Sequence, residues 1–250
     1  MFLRVLREQL KKEGCKFRKI AWIGGLYLLD KTPFMQQNPT PDGIKNLIFD
    51  LGNVIIDLDI ERTWQSLQHY LGDDYSVRLR KIYPDGDIFI DYEVGKISEE
   101  TFLRTLQNIA ATPLSIRQIS EAWNAMLLGI TPERFEMLER LRSKYRVFLL
   151  SNTNETHLTF VDGYLRMIYG FDIATFDRRF FEKPYYSHLI KLRKPNAEIY
   201  EFMLKDADLN PSETLFIDDI SENTEGASRV GLHVYKHSVG VEIAHVLKDF

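Results

Sequence analysis

The strongest constraint on this chain is a pattern repeated at three distant places. Lys45 to Asp50 (KNLIFD), Tyr145 to Ser151 (YRVFLLS) and Thr214 to Asp219 (TLFIDD) are short apolar runs that each end on a polar, chemically capable residue. Unbroken apolar runs of this length read as strands buried on both faces, the kind found in helix-covered parallel sheets. Aspartate is a poor strand residue, so a carboxylate closing such a run needs a reason. Open α/β sheets offer one, because they bind ligands just beyond the carboxyl ends of their strands.

Helical signals fall between these strands. Thr131-Pro132-Glu133 reads as a cap with proline at the first helical position. Pro195 opens a helix expected to turn Ile199, Phe202 and Met203 inward. Phe180 to Leu192 contains an extended segment, Gly226 to Val230 closes a short helix, and Leu232 to Lys236 is a last strand. Alternating strands and helices predict an α/β fold with a parallel, right-handed, Rossmann-like sheet core, spanning 44–59 and 130–250. The stretch 60–129 differs. Trp64, Leu67 and Leu71 share one helical face, Ser98 caps a second helix with Phe102, Leu103 and Leu106 inward, and Ser115 to Leu128 forms a third amphipathic piece. With no strand pattern inside it, this block predicts a small helical cap inserted after the first strand.

Composition narrows the function. The net charge of −4 over 250 residues gives no electrostatic support for nucleic-acid binding. The single cysteine, Cys15, has no disulfide partner in the chain, which fits a cytoplasmic protein. No apolar run reaches the roughly 18 residues of a membrane span. Residues 1–43 read as a basic extension and linker. Ile20 to Leu29 has the apolar character of a signal-peptide core but no small-residue cleavage site after it, so a dispensable extension is the preferred reading. A monomer is expected.

Asp50, Ser151, Asp218 and Asp219 close separate strands, and Lys194 precedes a helix in Leu-Arg-Lys-Pro. Any one of them reads as a turn or cap residue. Gathered on one sheet edge, they form a site. Three carboxylates repel one another unless a cation joins them, and Mg2+ suits an all-oxygen donor set. The chain has no Cys/His cluster for zinc, and its six histidines are scattered and read as structural or exposed. A carboxylate can attack phosphorus, with a lysine and a metal ion neutralising the nonbridging oxygens.

The four segments resemble the motifs of the haloacid dehalogenase (HAD) superfamily of phosphatases, subfamily IA: Phe49-Asp50-Leu51-Gly52-Asn53-Val54-Ile55, Leu150-Ser151-Asn152-Thr153-Asn154, Arg193-Lys194-Pro195 and Phe216-Ile217-Asp218-Asp219. The Asp-Leu-Gly-Asn-Val and Ser-Asn-Thr-Asn runs are similar to those of bacterial α-D-glucose-1-phosphate phosphatases. The resemblance implies that Asp50 is the nucleophile and a metal ligand. It implies that the Gly52 carbonyl, Asp218 and Asp219 complete the metal shell. Ser151 and the Asn152 backbone would hold the phosphoryl group, Lys194 would neutralise it and orient Asp50, and Asn223 would position a carboxylate. The implied substrate is a small phosphomonoester such as glucose 1-phosphate, hydrolysed through an aspartyl-phosphate.

One position departs from the pattern. Most phosphatases of the superfamily carry a second aspartate where this chain has Gly52, and acid–base help is typically worth about 10²–10⁴-fold. Asp57 and Asp59 are candidate surrogates, with helix capping or a hinge as the alternative. Lys96 and the two tryptophans Trp64 and Trp123 are candidate substrate contacts on the cap, with a solvated loop and a hydrophobic core as their alternatives. The rival readings are a metal-free 2-haloacid dehalogenase, a sugar-phosphate mutase, and a catalytically weak binding or regulatory protein.

Overall fold

The computed structural model describes residues 20–23, 26–29, 42–110 and 113–250. Most of the extension and linker expected before residue 44 lies outside the described residues. Inside the apolar run at 20–29, β1 (Ile20–Ile23) pairs antiparallel with β2 (Leu26–Leu29).

The main body begins with β3 (Asn46–Phe49) and the short strand β4 (Asp57–Leu58). Helices follow at Ile60–Leu71, Asp73–Ile82, Asp87–Glu93, Glu99–Asn108 and Ile116–Asn124. The chain returns on β5 (Leu127–Gly129), which pairs antiparallel with β4. This ribbon joins the helical block to the sheet, and it makes 127–129 extended where a helical end was expected.

Next come β6 (Arg146–Ser151), β7 (Lys183–Tyr186), β8 (Thr214–Asp218) and β9 (His233–Lys236). The sheet order is β7-β6-β3-β8-β9, and every neighbouring pair is parallel. The chain therefore leaves central β3 toward one edge and comes back to build the other. That reversal opens a crevice at the carboxyl end of β3.

Strand residues alternate between faces, and the core divides accordingly. Leu47 and Phe49 pack with Val147, Leu149, Leu215 and Ile217 on one side of the sheet. Ile48 packs with Phe148, Leu150, Phe216 and Met203 on the other. The helical block has its own cluster, in which Trp64, Leu67, Leu71, Phe89, Phe102 and Trp123 meet. Trp64 and Trp123 both belong to this core, and Trp123 also lines the cleft described below.

Several local expectations change. Helix Pro132–Arg142 starts at its proline, but the Thr131 hydroxyl makes no cap bond. In Ala197–Asp206, Ile199 and Met203 are buried, whereas Phe202 is 40% exposed on the flank of that stripe, edge-on to the Tyr185 ring. Two helices, Glu155–Tyr169 and Ile173–Phe180, were not anticipated. Asn154 and Asp172 cap them by accepting from the N–H groups of His157 and Thr175.

Candidate active site

Parallel register makes the first assembly. Asn46 lies opposite Thr214 and Phe49 opposite Ile217, so the next residues, Asp50 and Asp218, stand side by side. Phe49 also lies opposite Leu149, which brings Ser151 to the same edge. The Asp50 N–H donates to the Ile217 carbonyl at 2.9 Å and fixes the start of the turn.

Lys194 enters from the loop before helix Ala197–Asp206. Its ammonium is 2.8 Å from Asp50 Oδ1 and 2.6 Å from Asp218 Oδ2, and the residue is buried. Asn152 clasps that loop from both sides. Its Nδ2 donates to the Lys194 carbonyl at 3.0 Å, and the Lys194 N–H donates to its Oδ1 at 2.9 Å. Helix Ser221–Arg229 presses on the same loop through Gly226, where a Cβ would stand only 2.4 Å from the Pro195 carbonyl oxygen.

Asp218 is fully engaged. Its Oδ1 accepts from the Ile220 N–H at 2.8 Å, and Asn223 Nδ2 donates to both its oxygens at 3.1 Å. Asp219 accepts from Asn53 Nδ2 at 3.0 Å, while Asn53 Oδ1 accepts from the Leu58 N–H at 3.0 Å. Asn53 thus ties one carboxylate to the β4 flap, a link not anticipated from the sequence.

Burial pushes the Asp50 carboxyl up to about 7, against the pull of Lys194 and with help from Asp218 and Asp219. Burial works against the Lys194 ammonium, but Asp218 and Asp50 outweigh it and hold its pKa above the ordinary value. Asp219 is raised, chiefly by burial. The site therefore carries more buried negative charge than one lysine balances.

Asp50, Asp218 and Asp219 each offer an oxygen, and these atoms lie within 4.8 Å of one another. An all-carboxylate set of this size fits a hard divalent cation. No hydrogen bond among the described residues uses the Gly52 carbonyl, which leaves it open as a further oxygen donor. The Ser151 hydroxyl is buried and, among the described residues, has only a long 3.5 Å contact to the Asn152 carbonyl. The residues expected at the site, Asp50, Gly52, Ser151, Asn152, Lys194, Asp218 and Asp219, converge on this one sheet edge.

A cleft of about 110 Å³ opens beside them, between Gly52, Ser151 and Asn152 on the sheet side and Tyr83, Glu93 and Trp123 on the helical side. A larger open depression of about 650 Å³ at the opposite strand ends, around Lys45 and Arg142, holds none of the converging groups.

The surrogate acids do not reach this cleft as free groups. Asp57 is 2.8 Å from Arg134, and Asp59 caps helix Ile60–Leu71 by accepting from the Glu61 N–H at 3.1 Å. A Cβ on Gly52 would stand 2.8 Å from Leu58 Cδ1, so a leucine fills the space where a second acid would begin. Lys96 pairs with Asp91 at 3.0 Å in an exposed position.

Two polar residues of the cleft were missed by sequence reading. Glu93 accepts from Arg193 Nε at 2.8 Å, and burial raises its pKa despite that partner. His157 lies flat against Trp123, with ring centroids 5.3 Å apart and planes at 5°. The Arg next to Lys194 was a signal for the first. His157 follows the Ser-Asn-Thr-Asn motif by one helical turn, a signal visible only once the Asn154 cap is recognised.

Comparison with known proteins gives a consistent answer. Residues 44–231 match the family described as hydrolase, haloacid dehalogenase-like hydrolase. The chain is 31% identical over 199 residues to a D-ribitol-5-phosphate phosphatase of Bacteroides thetaiotaomicron, covering 80% of this chain and 94% of that one. It is similar to the crystal structure of a HAD family enzyme of the same species in complex with magnesium and inorganic phosphate, with a TM-score of 0.72, 35% identity, and coverage of 82% of this chain and 99% of that one. A predicted HAD-like family hydrolase from Porphyromonas gingivalis matches with a TM-score of 0.70 at 34% identity, over 79% and 93% of the two chains.

Proposed function

The chain belongs to the haloacid dehalogenase-like hydrolases, and from that premise we propose that it hydrolyses a small phosphorylated polyol or sugar through a phosphoryl group carried on Asp50. The observation that carries the reading is the Lys194 bridge between Asp50 and Asp218, 2.8 and 2.6 Å long, at a sheet edge that also holds Ser151 and Asp219.

Asp50, Asp219 and the Gly52 carbonyl would hold a magnesium ion, and Asp218 would join them only by giving up one of the hydrogen bonds that fill its two oxygens. When bound, such an ion would supply positive charge at the nonbridging oxygens and would favour the ionised form of Asp50. The Ser151 hydroxyl and the Asn152 N–H donate to those oxygens, and Lys194 neutralises them from the other side. An Asp50 oxygen attacks phosphorus, the ester P–O bond breaks, and the leaving oxygen takes a proton from water. A second water then attacks phosphorus, the bond to Asp50 breaks, and inorganic phosphate leaves. Asp218 acts chiefly by holding Lys194 in place, since hydrogen bonds already engage its two oxygens.

The helical block 60–129 is proposed as a cap that closes over the cleft, swinging on the β4–β5 ribbon. A monomer acting on a small molecule is part of this reading. No helix among the described residues is long and apolar enough to cross a membrane.

D-ribitol 5-phosphate, the substrate named for the Bacteroides relative, is the first candidate, with glucose 1-phosphate beside it. The test is phosphate release from a panel of sugar and polyol phosphates, with magnesium and with chelator. Magnesium-dependent release that is lost in Asp50→Asn supports the reading. Chloride release from a 2-haloacid in chelator, without phosphate release, overturns it.

A further inference from the structure

We propose that His157, backed by Trp123, forms the subsite that recognises hydroxyl groups of the leaving alcohol, and so determines specificity. The proposal rests on the phosphatase reading for what the cleft holds. It concerns a wall of the cleft that is formed by neither the carboxylates nor Lys194.

Three observations converge. First, both residues line the cleft that Ser151 and Asn152 also line, so the ring pair is placed where the alcohol half of a phosphomonoester extends. Second, His157 has one nitrogen committed and one available. Its Nδ1 is 2.8 Å from Asn124 Oδ1, an acceptor, so Nδ1 carries the proton and Nε2 presents a lone pair. No described residue is hydrogen-bonded to Nε2. Third, the Trp123 indole Nε1–H is buried without any partner among the described residues, in a side chain only 3% exposed. Buried polar groups are nearly always paired, and an unpaired donor and an unpaired acceptor on two residues that line one cleft match a hydroxyl, which both donates and accepts.

The surroundings select the rest of the ligand. Leu58, Tyr83, Phe89 and Tyr92 add apolar and aromatic surface to the same cleft. Such a wall suits the C–H faces of a sugar or polyol, with a few placed polar atoms fixing orientation. Burial pushes the His157 pKa down to about 3, so the ring stays neutral and accepts a hydrogen bond. No other charged group is a cause of that shift. With its Nδ1 proton held by Asn124, His157 accepts at Nε2 in this proposal and does not replace the acid missing at Gly52.

The test compares His157→Phe, which keeps the flat stack on Trp123, and Trp123→Phe, which removes the indole N–H, with the parent. D-ribitol 5-phosphate reports the subsite, and p-nitrophenyl phosphate, whose leaving group bears no hydroxyl beyond the ester oxygen, reports the phosphoryl site. The expected result in each variant is a KM for D-ribitol 5-phosphate raised about tenfold, the scale of one lost hydrogen bond in a desolvated site. The loss with p-nitrophenyl phosphate should be several-fold smaller, because its leaving group has no further hydroxyl to lose, and His157→Gln, which restores an acceptor, should recover part of the loss. Equal losses on both substrates, or no loss on either, overturn the proposal. Binding of D-ribitol 5-phosphate and of inorganic phosphate is also measured by calorimetry in an Asp50→Asn background. That arm reads the subsite independently of turnover: weaker sugar-phosphate binding with unchanged phosphate binding upholds it, and unchanged binding of both overturns it. A parent enzyme that hydrolyses no phosphomonoester overturns the phosphatase reading alone.

Discussion

Lys194 and Asp50 are joined by a buried 2.8 Å ion pair, although 144 residues separate them in the chain. The pair is shared with Asp218, so one ammonium serves two strand ends. Removing one partner of such a pair leaves charge buried without compensation, at a cost of about 3–5 kcal/mol. Lys194→Met is expected to lower stability by about that much and to reduce turnover by at least about a hundredfold. Urea unfolding and phosphate release measure the two effects. A variant with near-native turnover would show that the ammonium does not act on the phosphoryl group.

Gly226 gives a prediction about positioning. A methyl there meets the Pro195 carbonyl oxygen at 2.4 Å and the Tyr200 ring at 3.1 Å, and the backbone oxygen has little room to yield. Gly226→Ala should push the Lys194 loop outward, cost about 2 kcal/mol in stability, and lower kcat more than it raises KM. Gly163, inside helix Glu155–Tyr169 with nothing within 4 Å of a built Cβ, is the control. Gly163→Ala should instead stabilise the protein by about 0.5–1 kcal/mol, through helix propensity.

The Glu93–Arg193 pair links the helical block to the loop that carries Lys194, at 2.8 Å and with both side chains largely covered. Arg193→Met leaves Glu93 buried and unpaired, so it should cost more than Glu93→Gln. The double variant should recover part of the loss, with a coupling energy of about 1–3 kcal/mol in a denaturation cycle. Additive effects would show that the pair is not a working latch between the two parts.

How far the sequence could be read follows from what sets each feature. The strand ends were legible because β3, β6 and β8 are unbroken apolar runs, and parallel register alone sets Asp50 beside Asp218. The core of the helical block was legible from the spacing of Trp64, Leu67 and Leu71. The β4–β5 ribbon was not, since two- and three-residue strands have no periodicity to detect. The clasp of Asn152 on Lys194 and the tie from Asn53 to Asp219 were also hidden, because each is a side-chain bond between residues remote in the chain. His157 is not legible in the sequence for a related reason. Its place in the cleft depends on a stack with Trp123, 34 residues away.

Asp177 supplies a pH prediction away from the carboxylate cluster. Burial raises its pKa to about 6, although the Tyr186 hydroxyl donates to Oδ1 at 2.8 Å and pulls it down. Between the ordinary value of 3.8 and about 6, the folded state therefore binds more protons than the unfolded chain. Stability must then fall as pH rises through that window, and the full penalty persists above it. An asparagine in its place would keep an acceptor for Tyr186 without any charge to bury. Asp177→Asn should thus leave stability nearly unchanged near pH 4 and raise it by about 1–2 kcal/mol at pH 7.5, a figure reduced for partial solvent screening. Urea midpoints of both proteins at the two pH values provide the measurement, and their difference cancels every other group that titrates in the range. A variant that is less stable at pH 7.5 would mean the Tyr186 bond needs the carboxylate more than burial resists it.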